Sequence, residues 1–154
     1  MPSFRDARRV RHRAEQMFDL VADVERYPEF VPLCQSLRVK RRVSDPSGAE
    51  ILIADMKVGY HAIRESFTSR VTLDRANMKI LVEYVDGPFS HLKNVWTFRQ
   101  EDEGGGSKVE FFIDYEFRSR VLGALMGSMF DIAFHRFAEA FARRADKVYG
   151  SGMG

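Results

Sequence analysis

The most constraining feature of this chain is an abrupt change of hydrophobic period near residue 119. The stretch KVEFFIDYEFRS sets Val109, Phe111, Ile113, Tyr115 and Phe117 against Glu110, Asp114, Glu116 and Arg118. That two-residue period predicts a strand with one buried face. From about Arg120 to Tyr149 the period becomes 3.6. Leu122, Leu125, Met126, Met129, Phe130, Ala133, Phe137, Ala140, Phe141 and Val148 then form a wide apolar stripe on one long helix. Ser119 stands where an N-cap is expected. A helix of this length with such a stripe has to lie on a large apolar surface, and the sheet before it is the available partner.

Strand periods recur upstream. SLRVKRRV carries Leu37 and Val39, and AEILIADMKVGY carries Leu52, Ala54, Met56 and Val58. HAIRESFTSRVTLD alternates Ile63, Phe67 and Val71 with polar residues, and MKILVEYV sets Met78, Ile80, Val82 and Tyr84 on one side. HLKNVWTFRQ groups Leu92, Asn94, Trp96 and Phe98. The breaks DPSG, DGP and EDEGGGS have turn chemistry. Before these strands, SFRDARRVR reads as a short basic strand with Phe4, Ala7 and Val10 as its apolar points. AEQMFDLVADVERY follows as a helix carrying Met17, Phe18, Val21 and Val24, ending before Pro28. PEFVPL reads as a second, very short helix or turn stopped by Pro32.

The expected order is strand, helix, short helix, about six antiparallel strands and a long helix, an α+β arrangement. Residues 1–150 read as a single domain and 151–154 as a disordered tail. A strongly twisted sheet around one long helix leaves room between them, expected near the helix start. The segment VERYPEFVPLC is too short for a stable helix and rich in apolar side chains, so it is expected at the mouth of that space.

This order is that of the helix-grip fold of START-like proteins. FDLVADVERYPEFVPLC, the strand carrying NVWTF, and VEFFIDYEF followed by a long Phe-rich helix resemble the coenzyme-Q-binding START-domain family, part of the START-like and polyketide-cyclase superfamily. Its bacterial members are also grouped with ribosome-association toxins. The resemblance runs from about Phe4 to Tyr149, and VERYPEFVPLC is its most specific piece. It implies a curved sheet of about six to seven strands wrapped around the C-terminal helix, with two short helices after the first strand. It also implies a non-catalytic function: binding ubiquinone or a related isoprenoid quinone in an internal cavity, as a carrier for respiratory electron transport. No catalytic motif comes with it. The alternative it implies is a ribosome-associated inhibitor of translation.

Face assignments and the YPEFVP match together nominate Tyr27, Phe30, Val31, Leu33, Phe67, Asn94, Trp96, Phe98, Phe111, Tyr115, Leu122, Leu125, Met126, Met129 and Phe130 as ligand-binding. Asn94 is a donor that a quinone carbonyl could use. Glu65 shares a face with Ile63 and Phe67, and a carboxylate there needs a partner. Met126, Met129, Phe130 and Phe134 cluster around Gly123 and Gly127, which allow close backbone approach or local give. For each of these, core packing is the plainer explanation.

Other chemistries find little support. The four histidines, His12, His61, His91 and His135, fall in no zinc spacing, and Cys34 is the only cysteine. Asp131 and His135 are spaced as a surface ion pair on the last helix. Gly104 to Gly106 lack the lysine of a phosphate loop and sit beside Glu101, Asp102 and Glu103. No metal and no catalytic cofactor is expected, and a START-like cyclase or hydrolase ranks third. A formal net charge of +2 does not announce a nucleic-acid binder, and no DNA partner is expected. Arg5, Arg8, Arg9, Arg11 and Arg13 form one basic cluster, and Arg38, Lys40, Arg41 and Arg42 a second. If their strands were adjacent, the two would join into one patch for anionic lipid headgroups or ribosomal RNA.

No apolar run approaches the roughly 18 residues needed to cross a bilayer. The Arg-rich start resembles a mitochondrial presequence, but Asp6 and a strand beginning by Phe4 weigh against it. A lone cysteine suits a reducing compartment. The expected location is the cytoplasm, with peripheral contact at the inner membrane.

Overall fold

A computed structural model describes residues 3–60, 62–101 and 104–150. The 151–154 tail, His61, and Asp102 and Glu103 of the EDEGGGS tip lie outside the described residues. The elements run β1 (Ser3–Val10), α1 (Ala14–Ala22), a 3-10 turn η1 (Val24–Glu29), β2 (Cys34–Ser44), β3 (Glu50–Tyr60), β4 (Ile63–Asp74), β5 (Lys79–Asp86), β6 (Phe89–Gln100), β7 (Ser107–Phe117) and α2 (Arg120–Tyr149).

All strands pair antiparallel in one sheet, in the order β1-β7-β6-β5-β4-β3-β2. Phe4 pairs with Ile113, so the first strand closes on the last. Strands β1 and β2 are the two free edges. The two arginine clusters therefore lie at opposite sides of the sheet and do not form the joint patch that adjacency would have given. On β2, Lys40 also pairs with Asp55, and Arg42 with Glu25 and Glu50. Charged edges of this kind discourage edge-to-edge association of sheets.

The alternations become one buried face. Leu52, Ala54 and Val58 of β3, Leu92, Asn94, Trp96 and Phe98 of β6, and Val109, Phe111, Ile113 and Tyr115 of β7 are all buried. Helix α2 packs over β7 and β1 and against α1, while η1 packs on β2. The Ser119 hydroxyl accepts from the Leu122 amide at 3.2 Å and starts α2. Near its other end, Asp146 meets the buried His12 ring at 2.8 Å, and the Tyr149 hydroxyl donates to the Gln16 carbonyl at 3.0 Å.

The helix before Pro28 is broken where one continuous helix was expected. α1 stops at Ala22, and Pro28 lies inside η1, whose tighter winding ends at Glu29. Gly87, at φ 144°, has no room for a side chain: a Cβ there would stand 2.5 Å from the Phe67 Cβ. The β5–β6 turn is thereby seated on an aromatic of the inner face.

Candidate functional site

Because α2 rests on β7 and β1, its middle turns do not fill the curve formed by β3, β4 and β5. A cavity of about 100 Å³ remains. Its roof is Phe130, Ala133, Phe134, Phe137 and Phe141 of α2. Its floor includes Met56, Phe67, Val71, Ile80, Val82, Trp96 and Ile113. Val24, Tyr27, Val31, Pro32 and Leu33 close one side. Leu33 has a left-handed backbone, φ 67°, and its carbonyl accepts from the Gly59 amide at 3.0 Å. A branched side chain seldom takes that conformation, so the η1–β2 connection is held under strain at the wall of the cavity.

Edge-to-face aromatic contacts fix the walls. Phe141 meets Tyr27 at 5.3 Å, Phe30 at 5.0 Å and Trp96 at 4.9 Å, while Phe67 meets Phe89 at 5.5 Å. Few polar groups interrupt the lining. The Tyr27 hydroxyl donates to the Val21 carbonyl, and burial pushes its pKa upward, so it stays a neutral phenol. Asn94 donates one N–H to the Phe112 carbonyl at 2.8 Å and accepts from the Trp96 indole at 3.0 Å. That leaves its second amide hydrogen, together with the Ser69 hydroxyl, as the polar features of the floor. Cys34 stands buried at the start of β2, where burial pushes its thiol from 9.0 to about 11.

Of the nominated residues, Tyr27, Val31, Leu33, Phe67, Asn94, Trp96 and Phe130 line this cavity. Phe98, Phe111 and Tyr115 are buried one layer behind. They stack on Trp96, meet its edge, and meet Phe134 respectively. Phe30 leans on Phe141 and faces an outer groove. Leu122, Met126 and Met129 pack into the core at the start of α2 without reaching the cavity. Leu125 does not face inward: it is 55% exposed, because its position is turned well away from the Phe130 side of the helix. Val148 is likewise exposed. The void thus sits under the middle of α2, deeper than the helix start where it was expected.

Gly123 and Gly127 face no close backbone: a Cβ at Gly127 would meet nothing within 4 Å, and one at Gly123 would make ordinary contact with Phe117. Close approach does not account for them. Glu65 is half-buried on the inner side of β4 and does not line the cavity. His135 bonds the Asp131 backbone carbonyl at 2.7 Å, in an exposed pair.

Several lining residues were not nominated. Val71, Ile80, Val82 and Ile113 share faces already assigned to the core, while Ala133, Phe134, Phe137 and Phe141 continue the i, i+3, i+4 series from Phe130. Their spacing was visible; their neighbourhood to empty space was not. Also unremarked was a basic series on the outer side of α2, Arg136, Arg143, Arg144 and Lys147.

Among the described residues, no helix is long and apolar enough to cross a membrane. Residues 10–142 match the family described as polyketide cyclase / dehydrase and lipid transport. The chain is 38% identical over 141 residues to the ribosome association toxin RatA of Vibrio cholerae serotype O1, covering 92% of this chain and 93% of that protein. It is 29% identical over 143 residues to a mitochondrial coenzyme Q-binding protein COQ10 of Dictyostelium discoideum, covering 92% of this chain and 68% of that one. The solution structure of an 18 kDa protein from Caulobacter crescentus superposes with a TM-score of 0.77 at 32% identity, covering 97% and 99% of the two chains. An aromatase/cyclase from a Streptomyces species superposes with a TM-score of 0.74 at 16% identity, covering 99% of this chain and 98% of that one, a likeness of fold. With its curved sheet packed on α2 and most of its length matched, the chain belongs to the START-like polyketide cyclase/dehydrase and lipid transport family, among relatives that include coenzyme-Q-binding and ribosome-association proteins.

Proposed function

We propose that the protein is a non-catalytic carrier of an isoprenoid quinone or a closely related lipid. One observation carries this reading: an apolar cavity between sheet and helix, broken by little more than the Asn94 amide and the Ser69 hydroxyl. A prenyl tail is matched by Phe, Val, Ile and Met walls, at about 0.8 kcal/mol for each buried methylene. A quinone carbonyl needs a donor, and Asn94 retains one N–H for it. The space of about 100 Å³ is well below the roughly 300–1,000 Å³ of sites that enclose a whole small ligand. The walls must therefore yield as cargo enters. The adaptable side of the lining is Met56, Leu33 and the η1 segment. The name of the COQ10 relative supports the quinone as the lipid class. A carrier of this kind works in the cytoplasm and at the inner membrane surface. Its test is solvent extraction of the purified protein and mass spectrometry of the extract. A stoichiometric quinone is the expected result; a protein that neither retains nor takes up any prenyl lipid refutes the reading.

A second reading, ribosome association with inhibition of translation, is favoured by the name of the Vibrio relative. It predicts salt-sensitive cosedimentation with ribosomal subunits, unaffected by Phe130→Ala and lost on reversing surface arginines.

A further inference from the structure

Outside the cavity wall, η1 and the second half of α2 enclose a groove of about 600 Å³. Arg136, Arg143, Arg144 and Lys147 point into it against Glu29 and Glu139. Arg143 is paired to Glu139 at 2.6 Å, whereas Arg136 and Lys147 have no ion-pair partner among the described residues. Arg144 differs from the rest. Its side chain is only 15% exposed, its guanidinium lies 5.0 Å from the centre of the Phe30 ring, and one nitrogen holds Glu29 at 2.6 Å. Its Nε is shut off from solvent and donates to nothing among the described residues. A buried guanidinium nitrogen left unpaired is costly and marks a site with unused capacity for an anion.

The groove also touches the cavity, since Pro32 lines both and Phe30 forms the groove's floor while packing on Phe141. Charge and apolar surface meet there as they do in an acidic phospholipid. We propose that this groove takes the phosphate of an acidic phospholipid headgroup, and that the phosphate displaces Glu29 from Arg144, freeing η1 to swing from the cavity. A phosphate oxygen competes directly for the Arg144 nitrogen that now holds Glu29. Arg144, and after it Arg26, already hold the Glu29 carboxyl below the usual range, so Glu29 leaves as a carboxylate and needs no proton. The proposal rests on the carrier reading for its purpose, but the site and the latch can be tested apart from it.

The test uses the full chain with vesicles of phosphatidylcholine alone and of equal parts phosphatidylcholine and phosphatidylglycerol. Sedimentation reads binding, and hydrogen exchange of the amides from Val24 to Leu33 reads release of η1. Acidic vesicles alone should bind the protein and speed that exchange. The exposed double variant Arg136→Glu/Lys147→Glu should weaken binding at least about 25-fold, each basic residue near an anionic surface contributing about fivefold. The same charge change on β1, Arg8→Glu/Arg9→Glu, should stay within about twofold, since screening limits the reach of distant charges to about 10 Å. Glu29→Gln removes the pairs to Arg144 and Arg26 and should speed η1 exchange at least about two- to fivefold without any vesicle. Equal loss from both reversals, unchanged η1 exchange on acidic vesicles, or groove-dependent binding of polyuridylate but not of acidic vesicles would each overturn the proposal. A prenyl quinone supplied from dilute detergent separates the two ideas. Loading there with no acidic-vesicle effect sinks the latch and keeps the carrier; vesicle-driven release of η1 with no loading keeps the latch and sinks the carrier.

Discussion

Ala133→Leu tests the cavity directly. Ala133 is buried in the roof of the void, on the side of α2 that faces β3 to β5. An apolar void of about 100 Å³ costs about 2.4 kcal/mol at roughly 24 cal/mol per Å³. Leucine adds three heavy atoms in that direction and is nearly as good a helix former as alanine. Filling about half of the space should therefore stabilise the protein by about 1 kcal/mol, raising Tm by roughly 2–4 °C. The same atoms take the place of at least two ligand methylenes, a loss of about 1.6 kcal/mol or more than tenfold in Kd. Urea denaturation measures the first effect, as a higher midpoint at unchanged slope. Quenching of Trp96, the single tryptophan and itself a wall of the cavity, measures the second with a soluble prenyl quinone. Stability and affinity should move in opposite directions. A variant that is destabilised yet binds quinone as before would show that the space is filled and that cargo sits elsewhere, and the reasoning would be wrong.

Other expectations are narrower. Gly127→Ala meets open space in mid-helix and should stabilise by about 1 kcal/mol; with Gly123→Ala added, stopped-flow quinone uptake should slow if the two glycines supply the give of α2. Asn94→Leu strands the Trp96 indole N–H and the Phe112 carbonyl, and should cost about 2–3 kcal/mol in urea while shifting the Trp96 emission. Cys34 should resist alkylation near neutral pH and react only on unfolding. Because its folded pKa is raised to about 11 from 9.0, its contribution to stability is present below pH 9 and lost as pH rises through 9 to 11. Cys34→Ala should flatten that part of a stability-against-pH curve.

The strand faces and the bounds of α2 were legible because their periods run unbroken. Val109 to Tyr115 alternate without a fault, and Ser119 announces the cap. The position of the cavity was not legible, because the apolar stripe of α2 is nearly uniform from Leu122 to Phe141. Which part of it faces open space depends on where η1 and the curve of β3 to β5 stand. Leu125 shows the same limit: it belongs to the stripe by residue type but lies at its margin, and only the packed sheet decides on which side it falls. Whether the two arginine clusters share a patch was left open by the sequence for a related reason. Local pattern says that β1 and β2 are strands, but neighbours in a sheet are chosen by distant partners, and β1 has Ile113 and Phe111 to pair with. Pro28 was read as a stop for an α-helix, which it is, yet a 3-10 turn accommodates it.

The pairing of the first strand with the last has a consequence in time. While the chain is being made, Phe4 and Val10 wait for Ile113 and Ser107, and α2 waits longer still. Contacts so distant along the chain are entropically late, so closure should be the slow stage of maturation. Until it happens the greasy inner surface has no lid and is open to aggregation. Loading by a newly made molecule must then wait until β1 has paired with β7 and α2 has docked, whatever the cargo proves to be.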